Sequence, residues 1–509
     1  MTETGQTFPP SAGGLAAGRS GVPEAVPADL PVSVPAADPL APYDAVLLLS
    51  YGGPRRSEDV LPFMRNATAG RGVPDSRLLE VSGHYQGFGG ASPINARNAE
   101  LRDALQARLA ERGSSLPIVV GNRNWHPFVS QALRELADAG ARHILALPTA
   151  AFGSYSGCRQ YREDLAGAVA LLAAGADGAT GDGFEADAAA RVGGDGGGPV
   201  DLTVDKTRPY YNSSGLLQAN VDAIVEAYGR LAEQGVSAAD VRLVLVTHSI
   251  PLGMEAGSAP TPESDGASDS AGAGQPAGRP AGPREPGVAA DLSTEVSYVA
   301  QHRALAAILV PEVARRLGLE EVESDLVYCS RSGPPQARWL EPDVNDHLEA
   351  LAAGQLTDGS PADRPGGVVV APFGFISDHM EVVFDLDTEA AQTAHDLGMP
   401  YARAATVGTH PAFVDSLVDI LIERAAVARG EDVHPASTTG VGPFHTVCPP
   451  SCCRSGTHHP GRHSRHGADG ATHESATGHQ PAAGGSCRPA SAEPESLKPA
   501  SCGRMKEKR

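Results

Sequence analysis

Residues 241–251 read VRLVLVTHSIP. A near-continuous apolar run, ended by a histidine and closed by a proline, has the character of a strand buried on both faces. Five further runs behave alike: 45–49 (AVLLL), 117–120 (PIVV), 143–148 (HILALP), 325–328 (DLVY) and 367–371 (GVVVA). Between them, apolar residues recur at helical spacing, at Leu101, Leu105 and Leu109 and again at Leu133 and Leu136. Further helices are expected over 215–234, 295–317 and 413–429. Strand–helix alternation of this kind indicates an α/β protein with parallel sheets flanked by helices. Two units are expected, 43–210 and 211–430, with a cleft between them. Ligands of such sheets bind beyond the carboxyl ends of the strands, so the residues that follow each strand carry the functional weight.

Composition limits how much of the chain this fold occupies. The sequence has 509 residues, with 59 glycines and 42 prolines, about a fifth of the chain against a usual share of about 12%. Four segments bury too little apolar surface to offset the cost of ordering. They are an N-terminal tail over 1–42, a Gly-rich insert over 172–205, an insert over 253–292 and a Cys/His-rich tail over 431–509. Disorder is expected for all four. The formal net charge of −21 disfavours nucleic acid as a partner, since phosphate neutralisation needs clustered Lys and Arg. No stretch approaches the ~18 apolar residues of a membrane span, and the start, MTETGQTFPP, has no secretory pattern. Seven cysteines, five of them after residue 440, suit cytoplasmic thiols and metal better than a secreted disulfide framework.

Chemistry concentrates after two strands. His248 ends VTH, where a histidine suits proton transfer or metal ligation; a bland alternative is a hydrogen-bonded histidine at the domain edge. After 367–371 comes PFGFISDHMEVVFDLDTEA, with Asp378, His379, Glu381, Asp385, Asp387 and Glu389. On a helix, Glu381, Asp385 and Glu389 share one face and repel, so the row wants a cation or a solvated surface. Carboxylates with imidazole suit divalent metals such as Fe(II). Tyr51 follows the first strand, either projecting toward a ligand or packing beneath the turn. Cys448, Cys452 and Cys453 in CPPSCC fit a soft-metal or iron–sulfur site lacking one ligand, which Cys158 or Cys329 would supply. An adventitiously metal-binding tail is the competing account, and the better one for its histidines.

Six stretches together carry a resemblance: LLLSYGGPRRSEDVLPFMRN, GHYQGFGGASPINARN, GNRNWHPF, LVTHSIP, YCSRSGPPQARWLEPD and PFGFISDHMEVVFDLDTEA. In this order, from about 43 to 428 without the inserts, they resemble the ferrochelatases, lyases of haem b biosynthesis. The resemblance implies two Rossmann-like, chelatase-type halves and insertion of ferrous iron, as substrate, into a porphyrin held between them. It implies that His248 accepts pyrrole protons and contacts the metal, that Glu381 faces it, and that Asp385 and Glu389 continue an acidic ladder for metal or protons. Tyr51 is similar to the tyrosine of the Gram-positive-type branch, whose substrate is coproporphyrin III. In that branch Ser92 and Tyr161 are expected as porphyrin contacts, and Arg71 and Arg123 as propionate partners. Cys329 stands where relatives usually carry glutamine.

Some members hold a [2Fe–2S] cluster through one body cysteine and three near the C-terminus, an arrangement that Cys158, Cys448, Cys452 and Cys453 match. The resemblance further implies a cytoplasmic monomer without membrane insertion, whose product, coproheme, passes to a decarboxylase. Two alternatives stay open: a protoporphyrin IX chelatase, and a non-catalytic haem or metal carrier.

Overall fold

The computed structural model describes residues 37–70, 72–175, 199–258, 296–331, 337–442, 444–448 and 452–454. All six expected strands form: β1 (Ala45–Ser50), β2 (Ile118–Asn122), β3 (His143–Pro148), β5 (Val241–His248), β6 (Ser324–Cys329) and β7 (Gly367–Ala371). Two short strands were not anticipated, β4 (Thr203–Lys206) and β8 (Tyr401–Arg403). Both lie at sheet edges, where a strand has one neighbour and needs no apolar run, so TVDK and YAR give no signal. Part of the expected 172–205 insert is therefore sheet.

The strands form two parallel sheets of identical order, β2-β1-β3-β4 and β6-β5-β7-β8. In each, the first strand of the set is central and the next two flank it on opposite sides. Chain order reverses at that strand, and its carboxyl end is where such sheets bind ligands. Tyr51 follows the end of β1, and His248 is the last residue of β5.

Alternate strand residues supply separate cores. Ala45, Leu47 and Leu49 pack under helices Val129–Asp138 and Gln160–Ala173. In the second sheet, Val244, Val246, Val368 and Val370 pack under helices Val344–Ala352 and Ala391–Asp396. The opposite residues, Val46 and Leu48 with Leu243, Leu245 and Val369, share one continuous core. Helices Ile94–Glu111, Ser214–Glu233, Tyr298–Leu317 and Pro411–Ala428 complete it. Both sheets accordingly belong to one compact unit, Met1–His458. The second unit, His459–Arg509, lies outside the described residues. No described helix is long and apolar enough to cross a membrane.

Part of the stretch from 431, expected to lie outside the core, packs onto it. Phe444 is 3% exposed, and a Cβ added to Gly153 would meet its ring at 2.6 Å. Arg208 bonds both carboxylate oxygens of Glu423 and reaches the carbonyl of Ala436. Asn212 donates to Ser437 Oγ and to the carbonyl of Gly442. One aromatic in a polar, Gly-rich segment was too weak a pattern to read as core.

The turn after β7 presses directly on the end of β5. A Cβ at Gly374 would sit 2.1 Å from Thr247 Oγ1 and 2.5 Å from Thr247 Cβ. Gly374→Ala is expected to destabilise the fold by about 1–3 kcal/mol, measured as a lower urea midpoint with an unchanged slope.

Candidate active site

Because β5 and β7 are neighbours, their exits bring His248 and Glu381 together. The imidazole Nδ1 donates a very short hydrogen bond to the Ser249 carbonyl, and Nε2 approaches Glu381 Oε2 at 3.6 Å. Their side chains remain 29% and 43% exposed. Burial opposes charge on the imidazole, but the hydrogen bond and charge of Glu381 outweigh it and raise His248 above its ordinary value. Burial opposes charge on Glu381 too, and His248 overcomes it, holding the carboxyl down at about 2. His379 Nδ1 lies 3.9 Å from the same Oε2; burial dominates there and lowers its value.

The acidic row is not carried by one regular α-helix. Glu381 sits in a single turn, Met380–Val382, which widens into a π-helix over Val383–Ala390 with Asp385 and Glu389. Such widened turns occur often at functional sites. Burial, then the charges of Glu381 and Glu389, push Asp385 up to about 7, although Ser330 Oγ donates a short hydrogen bond to it. Ser330 takes a left-handed backbone, φ 63°. Glu389 is raised as well, by burial first and then by Asp343. Facing the row, Tyr85 is held well above the usual tyrosine value by burial and by Glu381, Tyr51 and Asp385. The ring of His84 stacks on Phe384, centroids 3.9 Å apart.

Tyr51 is 38% exposed and meets the edge of Phe63 at 6.2 Å. Arg123 is buried in an ion pair with Asp164, its guanidinium 4.5 Å from the Tyr161 ring centroid and 5.9 Å from that of Tyr51. Its charge already has a partner, so a propionate would compete with Asp164. Ser92 is buried at the start of helix Ile94–Glu111, against Gly53 of the β1 turn. Arg71 lies outside the described residues.

Away from this site, four thiols converge from distant parts of the chain. Cys158 sits in the π-helical turn Tyr155–Arg159 after β3, where Cys448 and Cys453 lower its pKa well below the ordinary thiol value. Cys452 Sγ lies 3.6 Å from Cys453 Sγ, and Cys448 and Cys453 lower its pKa in turn. Lys206 Nζ lies 3.3 Å from Cys158 Sγ. Arg159 donates to the carbonyl of Cys452 and Arg162 to that of Cys448. Cys158, Cys452 and Cys453 are 3%, 2% and 1% exposed. Among the described residues, no group of three or more His, Cys, Asp or Glu is arranged to hold one metal ion. The thiols influence one another's protonation but do not form a closed single-metal cage. Cys329 is not part of it, lying beside Asp385.

Four residues of these sites had no assigned role in the sequence reading: His379, Tyr85, Ser330 and Lys206. His379 and Tyr85 lay within recognised stretches, adjacent to functional or aromatic residues. Nothing local marks Ser330 or Lys206, whose partners are distant in the chain.

Because Glu381 favours the charged imidazole, His248 stays protonated to higher pH and becomes an acceptor only above its raised value. In metal-free protein, NMR titration should place its midpoint above 6.5. Glu381→Gln should move that midpoint down; an unmoved midpoint would contradict the coupling.

Comparison with known proteins agrees with this architecture. The family model described as ferrochelatase matches residues 43–177 and 184–425. A protein of Streptomyces coelicolor named coproporphyrin III ferrochelatase is 41% identical over 414 residues, covering 81% of this chain and 94% of its own. One of the same name from Streptomyces griseus is 42% identical over 413 residues, 81% of this chain and 94% of that one. Another, from Leifsonia xyli, is 38% identical over 437 residues, with coverage of 85% and 96%. With the family pattern spanning both sheets and the turns after β1, β5 and β7, this chain belongs to the ferrochelatase family.

Proposed function

We propose that this chain inserts ferrous iron into coproporphyrin III, with His248 accepting pyrrole protons and Glu381 stabilising the imidazolium that forms. The observation that carries the reading is the 3.6 Å approach of His248 Nε2, at the end of β5, to Glu381 Oε2, in the helical turn that follows β7. Three relatives named coproporphyrin III ferrochelatases support the substrate, as does Tyr51 after β1.

Metalation exchanges Fe2+ for two pyrrole protons, with no change of oxidation state. A neutral His248 offers the lone pair of Nε2 to a pyrrole N–H, and the carboxylate of Glu381 favours the cation produced. Asp385, poised near 7, exchanges a proton or accepts part of a cation's charge as iron sheds water. Asp385 and Glu389 repel while both are ionised, which favours passage of a dication or protons between them. A pocket that holds the macrocycle bent binds the transition state better than the flat ring.

The convergence of four thiols supports a [2Fe–2S] cluster on Cys158, Cys448, Cys452 and Cys453. Four thiolates, two to each iron, match its donor set and require no three-residue site about a single ion. When bound, the cluster would supply one-electron redox capacity. Cys158 and the tail cysteines would hold it, with Lys206 offsetting thiolate charge. The wider reading is a cytoplasmic monomer passing coproheme to a decarboxylase, in keeping with an acidic chain of net charge −21.

Under anaerobic conditions His248→Ala should lower the metalation rate by about 100-fold or more while still binding porphyrin. Undiminished turnover would contradict the assignment. Cys158→Ser should lose the visible absorption, iron and sulfide of the purified protein. A colourless, iron-free wild type prepared anaerobically would contradict the cluster.

A further inference from the structure

Three residues behind His248 have no part in the chemistry above, yet they are buried and bonded to one another. Thr247 and His302 are 0% exposed and Tyr298 is 6% exposed. His302 Nδ1 lies 2.7 Å from the Tyr298 carbonyl, which only accepts, so Nδ1 carries the proton. Burial holds His302 neutral, its value down at about 3, so Nε2 is bare and the Thr247 hydroxyl, 2.8 Å away, must donate to it. With that proton committed, the single proton of the Tyr298 hydroxyl is shared between two acceptors. One is Thr247 Oγ1 at 2.8 Å, and the other is the His248 carbonyl at 3.1 Å. The chain runs one way, from Tyr298 through Thr247 to His302.

The far end of this chain is fastened to the first sheet's loops. The His302 ring stacks on Phe152 at 3.7 Å and 9°. Its neighbour Gln301 accepts from Gly153 N at 2.7 Å and donates to Gly153 O at 2.9 Å. At the near end, the peptide between His248 and Ser249 is pinned on both edges. Tyr298 holds its carbonyl, and its N–H donates to the Cys329 carbonyl at 2.8 Å. Ser249 Oγ adds a bond to the Leu340 carbonyl at 2.9 Å. The next carbonyl, that of Ser249, is the acceptor for His248 Nδ1–H.

We propose that Tyr298, Thr247 and His302 are positioning residues that set the tautomer of His248, keeping the proton on Nδ1 and leaving Nε2, the nitrogen nearer Glu381, to accept the pyrrole proton. This rests on the reading of His248 as proton acceptor. A pinned Ser249 carbonyl makes Nδ1 the protonated nitrogen. If the peptide before it swings, either nitrogen holds the proton, and a fraction of molecules present an N–H to the pyrrole instead of a lone pair. Porphyrin binding has no such dependence, so the loss falls on turnover.

The test uses the full-length protein with Tyr298→Phe, which removes one hydroxyl and keeps the ring. Thr247→Val and Thr247→Ser form a second pair. Tyr298→Phe and Thr247→Val should lower kcat for iron insertion about tenfold or more, with KM for porphyrin within about twofold, and Thr247→Ser should restore kcat. Independently of activity, 15N NMR of histidine-labelled protein, at a pH where His248 is neutral, should give a bare Nε2 in wild type and mixed tautomers in Tyr298→Phe. Wild-type kcat together with an unchanged His248 spectrum in Tyr298→Phe would overturn the proposal. A wild type that shows the single tautomer but never metalates porphyrin would overturn the functional reading and leave the positioning chain standing.

Discussion

The contact between His248 and Glu381 depends on a constraint laid down far from either side chain. Two residues separated by most of the second half meet because β5 and β7 pair in parallel, Leu245 beside Ala371, and the chain after β7 carries Glu381 back to the end of β5. Parallel pairing demands helical crossovers, and those helices bury both faces of each sheet. The imidazole thus stands at the end of a strand that has little freedom to move, and Glu381 comes within 3.6 Å of it from the helical turn Met380–Val382 that follows β7. Preorganisation of this kind lets a weak base and a carboxylate act as a pair without paying for their alignment at each turnover.

The same logic distributes charge across the site. A carboxylate held down at about 2 remains an anion throughout the physiological range, whereas its neighbour one turn on, near 7, can change state. Burial acts on both, but only Glu381 has an imidazole beside it; Asp385 has a serine hydroxyl and two other acids. Environment alone separates their roles, as it does for paired carboxylates generally.

Much of this was legible in the sequence, for identifiable reasons. AVLLL and GVVVA announce buried parallel strands because neither face can afford a polar residue, and the histidine and acids that follow them stand out against those runs. What stayed hidden were features whose signal is not local. TVDK and YAR carry no apolar run because edge strands need none. The packing of Phe444 on Gly153 is one contact in a polar segment. Ser330 finds Asp385, and Lys206 finds Cys158, only through the fold. The widening into a π-helix after Met380–Val382 leaves no trace in a spacing of four, which an ordinary helix would satisfy equally. The three tail cysteines stood out in the sequence and the family resemblance pointed to Cys158 as the fourth, but their convergence needed the tail to return across the body.

The central claim is that this chain turns over a porphyrin and does not simply hold one. The most direct measurement is anaerobic absorption spectroscopy of the wild-type protein with Fe2+ and, separately, coproporphyrin III or protoporphyrin IX. The account predicts that the free-base spectrum of coproporphyrin III gives way to the metalated one over many turnovers, faster than for protoporphyrin IX and faster than without protein. Stoichiometric porphyrin binding with no conversion beyond the protein-free control would contradict it.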